Sequence, residues 1–170
     1  VNGVVFKRLA SLWGLLDVDL FTSHTNHLTP QYYSKFFTPM TSGVDVFCYR
    51  WGRKCWVNPP FCLLLKVLCN AQFCKARVCL IVPHWPMQDL WSFLTKDGVS
   101  FEPFMHDLKH QGAVHDLFLP EFLGNETPQG QAAWPALTLL VDFLNPSPRQ
   151  IKAPVDLYQP PALRHEDSGA

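Results

Sequence analysis

The sequence carries no excess of charge of either sign, because 14 Lys and Arg residues balance 14 Asp and Glu residues. Without a long-range positive field, contact with nucleic acid requires a local basic patch or a partner protein. The chain also has no apolar run as long as a bilayer span, and no basic segment followed by an apolar stretch at its start. We therefore expect no membrane contact, no signal peptide and an intracellular location, nuclear or cytoplasmic.

Metal-binding cysteine pairs are missing as well. The six cysteines occur in apolar surroundings and none forms a CxxC pair; they lie at positions 48, 55, 62, 69, 74 and 79. Zinc sites need short paired spacings, and His24 and His27 have no third ligand at a matching distance. We expect reduced, buried thiols, which behave as small hydrophobic side chains, and no metal site.

The chain is rich in apolar side chains. Hydrophobic residues make up 48% of its 170 positions and aromatic residues 14%, which is typical of one globular domain rather than a disordered chain. Because the first residue is Val1 rather than Met, we expect a piece of a longer polyprotein. Residues 145–170 are rich in proline and polar side chains, so a linker or tail is expected there.

Hydrophobic periodicity predicts an alternation of helices and strands. Helices are predicted over 5–13, 63–71 and 87–94, and a short helix or irregular segment over 30–37. Strands are predicted over 16–21, 44–47, 54–57, 76–82, 99–104, 114–119 and 136–143, with the longest break at 124–130. This order predicts one three-layer α/β domain over residues 1–144, with a mostly parallel sheet and antiparallel strands towards the C-terminal end.

Polar residues follow three of the predicted strands. They are Thr22-Ser23-His24 with Asn26, then Asn58-Pro59-Pro60-Phe61, then His84-Trp85. In an open parallel sheet, ligands bind at the carboxyl ends of the strands. The sequence therefore predicts one site at one edge of the sheet.

The tetrapeptide 58–61 suits chemistry on the amino group of a base. That amine is a poor nucleophile because its lone pair is delocalised into the ring. The Asn58 amide oxygen and a proline carbonyl can both accept hydrogen bonds from the amine and offset the charge that develops on it. Phe61 can stack on the flat face of an extruded base. The alternative interpretation is a plain strand-ending turn, since Asn-Pro is common in turns.

Residues 13–86 resemble the methyltransferase-like domain of DIRS-type tyrosine-recombinase retrotransposons, which is itself similar to phage Dam-type DNA N6-adenine methyltransferases. The matching segments are Trp13-Gly14, Asp17-Val18-Asp19-Leu20-Phe21-Thr22-Ser23 with Asn26, Tyr32-Tyr33, Val44-Asp45-Val46-Phe47 with Trp51, Asn58-Pro59-Pro60-Phe61 and Val82-Pro83-His84-Trp85-Pro86. The segment Gly130 to Phe143, which ends in the apolar run 136–143, looks like the last strand of that family.

The resemblance implies a Rossmann-like methyltransferase fold that binds S-adenosylmethionine and methylates adenine in DNA. It implies cofactor contacts from Asp19, Phe21, Ser23, Asn26 and Asp45, and contacts to the target base from Asn58, Pro59, Pro60 and Phe61. We also expect substrate contacts from His84 and Trp85, because they follow a strand end, and from Arg53 and Lys54, because of their charge. The alternative for His84 is an ordinary surface histidine, and the alternative for Arg53 and Lys54 is a solvated turn. The expected partners are DNA, or alternatively RNA or an RNA–DNA hybrid, and the reverse transcriptase and ribonuclease H modules of the same polyprotein.

One departure from the resemblance leaves a second function open. Larger adenine methyltransferases carry a glycine-rich turn after the first strand, whereas residues 21–25 of this chain contain no glycine. The alternative is a catalytically degenerate methyltransferase-fold module that serves as a binding or scaffold domain in a retroelement replication complex.

Overall fold

The computed structural model describes residues 3–14, 16–52, 54–84, 89–113 and 135–147. These residues form a mixed α/β structure around one six-stranded sheet. The strands are β1 (Val18–Thr22), β2 (Gln31–Ser34), β3 (Lys54–Val57), β4 (Arg77–Pro83), β5 (Met105–Ala113) and β6 (Pro135–Asp142). The helices are α1 (Gly3–Trp13), α2 (Leu64–Cys74) and α3 (Asp89–Leu94), with short 3-10 turns at Val46–Cys48 and Phe61–Leu63.

The strand order across the sheet is β2-β1-β3-β4-β6-β5. The first four strands in this order run parallel to one another. β6 runs antiparallel to both β4 and β5. The prediction of a mostly parallel sheet with antiparallel strands late in the chain is confirmed.

Alternating side chains of the strands separate the interior into two cores. In β4, Val78, Leu80 and Val82 join the larger core, which also contains the buried faces of α2 and α3. Cys79 and Ile81 point to the other face, into the smaller core built around α1. A strand with both faces buried reads as a continuous apolar run, which is why β4 is the clearest strand in the sequence.

Several predicted elements are confirmed by the structure. The helices expected at 5–13 and 63–71 correspond to α1 and α2, and α3 covers the described part of the one expected at 87–94. The strands expected at 16–21, 54–57, 76–82 and 136–143 correspond to β1, β3, β4 and β6. The predicted strand at 114–119 and the break at 124–130 lie outside the described residues, as does the predicted tail beyond residue 147.

Three local predictions are wrong. The segment expected to be helical or irregular at 30–37 contains β2, a four-residue edge strand too short to show a clear alternation. In the expected strand at 44–47, only Val44 bridges to Ser34; the left-handed backbone of Asp45, with a φ of 56°, then starts a 3-10 turn.

In the expected strand at 99–104, Phe101 makes only an isolated bridge, to Thr95, and the next strand, β5, starts at Met105. The Asp97 carboxylate accepts hydrogen bonds from the backbone N–H groups of Val99 and Ser100 at 2.9 and 2.8 Å, which fixes a turn there. Pro103 then lacks the N–H that a ladder would need.

The order of connection creates a reversal point in the sheet. From β1 the chain moves outward to β2, and it then returns to the opposite side of β1 to form β3. In open α/β sheets such a reversal leaves a crevice at the carboxyl ends of the two strands involved. The ladder between β1 and β3 consists of Val18–Cys55 and Asp19–Trp56, so the described strands are paired only at the base of that crevice.

Candidate active site at the carboxyl edge of the sheet

The three predicted polar clusters follow β1, β3 and β4, which run parallel, so all three lie at one edge of the sheet. The edge is stepped. Val57 at the end of β3 pairs with Leu80, whereas β4 continues to Pro83. His84 therefore lies four residues beyond the level of Val57, about 13 Å along the strand direction. The Asn58 turn sits in a recess beside the taller end of β4.

The turn at Asn58 is built by its prolines. Pro59 is buried and Pro60 is exposed, with φ −52° and ψ 138°. Neither residue has an N–H to continue the ladder, so β3 ends before them. The Pro60 carbonyl accepts a hydrogen bond from the Leu63 N–H at 2.9 Å, which starts the turn leading into α2.

Asn58 is half-buried, and in the part of the chain that the structure describes its side-chain amide has no hydrogen-bond partner. The Pro59 carbonyl likewise has none within the described ranges, whereas that of Pro60 is occupied by Leu63. The amide is not among the fully buried side-chain groups without a partner, so water can reach it when no ligand is bound. An amide oxygen and a proline carbonyl are thus both open to a ligand.

Aromatic rings surround this turn. Phe61 is half-buried and packs against the larger core. Phe21 lies near the carboxyl end of β1, the strand beside β3, and so on the other side of the crevice from Asn58. The Phe21 ring meets the Phe47 ring edge-on at 5.7 Å, and the Lys66 ammonium lies 4.0 Å above the Phe47 ring. These contacts give the crevice an aromatic wall on the β1 side.

Asp19 lies inside β1 rather than at its end, and it is only 2% exposed. The Leu28 N–H donates to its Oδ2 at 3.1 Å, while Oδ1 has no hydrogen-bond partner among the described residues. Burial raises the pKa of Asp19 to about 6, although the Leu28 hydrogen bond opposes this rise. In this position the carboxylate is closed to a cofactor.

Ser23 and Asn26 form the turn that follows β1, at the same edge as Asn58. The Asn26 N–H donates to the Ser23 carbonyl at 3.2 Å, and the hydroxyl groups of Ser23 and Thr25 are 3.3 Å apart. Asp45 is exposed and lies beyond β2, so two strands separate it from β3. Its carboxylate accepts a hydrogen bond from the Cys48 thiol at 3.4 Å.

The predicted substrate-side residues do not all lie at the edge of the sheet that carries Asn58. Lys54 is the first residue of β3 and lies at the opposite edge of the sheet from Asn58, so the fold does not bring the two together. Arg53 and Trp85 lie outside the described residues. His84 is buried at the end of β4, with its ring 6.5 Å from the Trp91 ring and 5.8 Å from the His110 ring.

Sequence reasoning missed His110 and Trp91 as neighbours of His84. His110 pairs with Leu137 in the ladder between β5 and β6, and Leu137 pairs with Val82. That connection spans strands that are distant in sequence, so no local signal marks it.

A cavity lies between the C-terminal part of α2 and the segment around the 3-10 turn Val46–Cys48. It is open, has a volume of about 310 Å³ and contains none of the predicted site residues. Its lining consists of Phe47, Cys48, Tyr49, Arg50, Asn70, Phe73 and Cys74.

No family model matches the chain, and no curated protein matches it either. The site therefore has to be interpreted from its own geometry. Within the ranges that the structure describes, no three His, Cys, Asp or Glu side chains are grouped so that they could hold a metal ion. None of the described helices is long and apolar enough to cross a membrane.

Proposed function

We propose that the chain is an N6-adenine methyltransferase domain of retroelement origin, which transfers a methyl group from S-adenosylmethionine to adenine in DNA. The observation that carries this proposal is the Asn58 amide, which is half-buried and has no partner in the described structure at the carboxyl end of β3. An accessible amide at this position, beside the reversal point of the sheet, is available to a ligand that enters there.

The residues of the turn have separate roles in this proposal. The Asn58 amide oxygen and the Pro59 carbonyl accept hydrogen bonds from the exocyclic amine of adenine and draw its lone pair out of the ring. The prolines hold the backbone, which fixes the Pro59 carbonyl before the reaction and keeps Asn58 at the end of β3. The exposed surface of Phe61 contacts the face of the base. The amine can lose its proton to solvent after transfer, so no general base is needed.

S-adenosylmethionine would supply the methyl group on its sulfonium. Ser23 and Asn26, in the turn after β1, suit contacts to its polar groups, and the exposed Asp45 carboxylate suits a ribose hydroxyl. Asp19 does not fit a direct cofactor contact, because it is buried beneath the segment that contains Leu28. We assign Asp19 to the structure of the edge instead.

The sheet agrees with the proposal. Its reversal point lies between β1 and β3, so the predicted cofactor turn and the Asn58 turn flank one crevice. A Rossmann-like methyltransferase fold is our interpretation of this order. In a retroelement polyprotein the domain would work beside reverse transcriptase and ribonuclease H modules.

The second candidate is a methyltransferase-fold binding module without catalysis. The burial of Asp19 and the glycine-free turn after β1 favour it, because both reduce the groups available to a cofactor. Calorimetry with S-adenosylmethionine separates the candidates, since the enzyme must bind the cofactor and a scaffold need not.

The test of catalysis is Asn58→Ala, assayed by transfer of a radiolabelled methyl group to an adenine-containing oligonucleotide. Loss of a preorganised acceptor should reduce the rate by about 100-fold or more. Asn70→Ala is the matched control, because Asn70 is also half-buried but its amide donates to the Cys74 sulfur on α2. Equal rates in the wild type and Asn58→Ala would exclude the assigned chemistry.

A further inference from the structure

The loop that follows β2, residues 35–43, has its apolar side chains on the outside. Phe36, Phe37 and Met40 are 72%, 79% and 72% exposed. Scattered exposed hydrophobic residues are normal, but several large ones on one loop mark an interaction surface.

Hydrogen bonds between inward-facing polar groups hold this loop in place. The Ser34 hydroxyl donates to the Phe36 carbonyl at 2.7 Å and contacts the Thr41 hydroxyl at 2.9 Å. The Tyr32 and Thr38 hydroxyl groups are 3.1 Å apart, and the Ser42 N–H donates to the Tyr32 carbonyl at 2.8 Å. The three apolar side chains are therefore presented to solvent by a fixed backbone.

The loop lies at the same edge of the sheet as the Asn58 turn. Ser34 pairs with Thr22 at the carboxyl end of β1, and it follows by two residues Tyr32, which pairs with Asp19. Asp19 in turn pairs with Trp56, which precedes Asn58 by two residues, so Ser34 and Asn58 lie at about the same level. Only β1 separates the two strands, so their axes are about 10 Å apart. That distance corresponds to about three stacked bases of a nucleic-acid strand.

We propose that this loop is a stacking platform for unpaired bases, so that the site takes single-stranded nucleic acid. The identity of the ligand as nucleic acid rests on the proposed function. Its single-stranded form is argued from the loop itself: aromatic rings stack on unpaired bases whatever their sequence.

The charge of the loop supports a single strand over a duplex. Lys35 is the one cation between residues 35 and 43, and its ammonium lies 5.4 Å from the Phe36 ring centre. The chain as a whole is neutral. Duplex binding relies on phosphate contacts, whereas a single strand gains stacking on exposed rings in addition to its phosphate contacts, so a loop with two exposed rings and one cation favours the single strand.

The experiment measures binding of a short, fluorescein-labelled oligonucleotide that contains adenine, either single-stranded or annealed to its complement. Wild type should bind the single strand more tightly, with a shallow dependence on salt. Each aromatic-to-serine change, Phe36→Ser or Phe37→Ser, should weaken binding by about 5- to 150-fold. The matched control is Phe73→Ser, because Phe73 is 86% exposed on α2, near the end that leads to the start of β4.

The outcomes distinguish this inference from the proposed function. Loss of binding in the loop variants, together with retained binding in Asn58→Ala, supports the platform even if no variant methylates DNA. Methyl transfer with binding that is unchanged by Phe36→Ser and Phe37→Ser overturns the platform and leaves the enzyme. Binding of the duplex as tightly as the single strand, or self-association of the wild type that the loop variants abolish, also overturns it.

Discussion

Asp19→Asn tests the state of the buried carboxyl group in β1. The carboxyl group is 2% exposed, and its pKa is raised from 3.8 to about 6, chiefly because burial disfavours the charged form. Asparagine has almost the same shape, and its side-chain oxygen can still accept the hydrogen bond that the Leu28 N–H gives to Asp19. The substitution thus removes the charge while the local packing stays nearly the same.

The sign of the effect follows from the two pKa values. Between pH 3.8 and about 6 the folded state binds more protons at Asp19 than the unfolded state does. The free energy of unfolding contributed by this group therefore falls as the pH rises through that window, and it stays low above it. A difference of about two pKa units corresponds to about 3 kcal/mol. Asn does not titrate, so the free energy of unfolding of Asp19→Asn should not fall in this way.

The assay is urea unfolding followed by tryptophan fluorescence, from pH 4 to pH 7. The variant should gain about 2–3 kcal/mol of stability relative to the wild type across this range. Carboxyl groups elsewhere titrate in both proteins, so the difference between the two curves isolates Asp19. Parallel curves would refute the burial argument. A stability advantage of the variant over the wild type that shrinks as the pH rises would refute it as well. Weakened S-adenosylmethionine binding in the variant would instead support the cofactor role that the sequence predicted for Asp19.

Two further predictions concern α1 and the thiols. The Trp13 indole N–H donates to Asp107 Oδ2 at 2.9 Å. Partial burial alone would raise the pKa of Asp107, but hydrogen bonds from Trp13 and Leu108 and the nearby Lys109 lower it. Trp13→Phe should therefore cost about 1 kcal/mol or more of unfolding free energy at pH 7, and the part due to Asp107 should shrink below pH 4. An undiminished gap at low pH would refute this. In thiol labelling of the native chain followed by mass spectrometry, the exposed Cys62 and Cys69 should react quickly, and the exposed Cys48 more slowly, because its hydrogen bond to Asp45 raises its pKa. The buried Cys55, Cys74 and Cys79 should react only after unfolding. Rapid labelling of Cys55, whose pKa burial raises to about 12, would contradict the packing of β3.

The strand that carries the Asn58 turn could be predicted from the sequence because every local signal agrees. Cys55, Trp56 and Val57 are buried, and two prolines then end the ladder. The following helix presents an apolar face that packs on the sheet. The neighbouring strand β4 is apolar on both faces, so its position in the sequence could be predicted as well.

The elements that were missed depend on partners distant in sequence. β5 is a polar segment, and its strand conformation comes from pairing with β6. β2 is a four-residue edge strand that pairs with β1. Three of the six thiols are buried as expected. The other three, those of Cys48, Cys62 and Cys69, lie on exposed turns or on the helix surface.

The burial of Asp19 was missed because it depends on the loop after β1, whose Leu28 N–H donates to the carboxylate. The strand runs over Val18–Thr22, so its second residue lies deep in the sheet. An acidic residue next to a polar loop looks like a ligand contact in the sequence. In the structure the loop folds back and covers it.

The connection between β1 and β2 explains why the site is shifted towards β3. Parallel neighbours are usually joined by a crossover of a dozen or more residues with a helix, but here eight residues, 23–30, make the connection. Leu28 packs with the smaller core on the α1 face, and its N–H caps Asp19. The β2 side of β1 is thereby closed on that face. On the side of β1 that faces β3, the Asn58 amide and the Pro59 carbonyl have no hydrogen-bond partner in the described structure. A ligand that enters at the reversal point of the sheet must therefore meet Asn58 rather than Asp19, which is why catalysis is expected to depend on the former and pH-dependent stability on the latter.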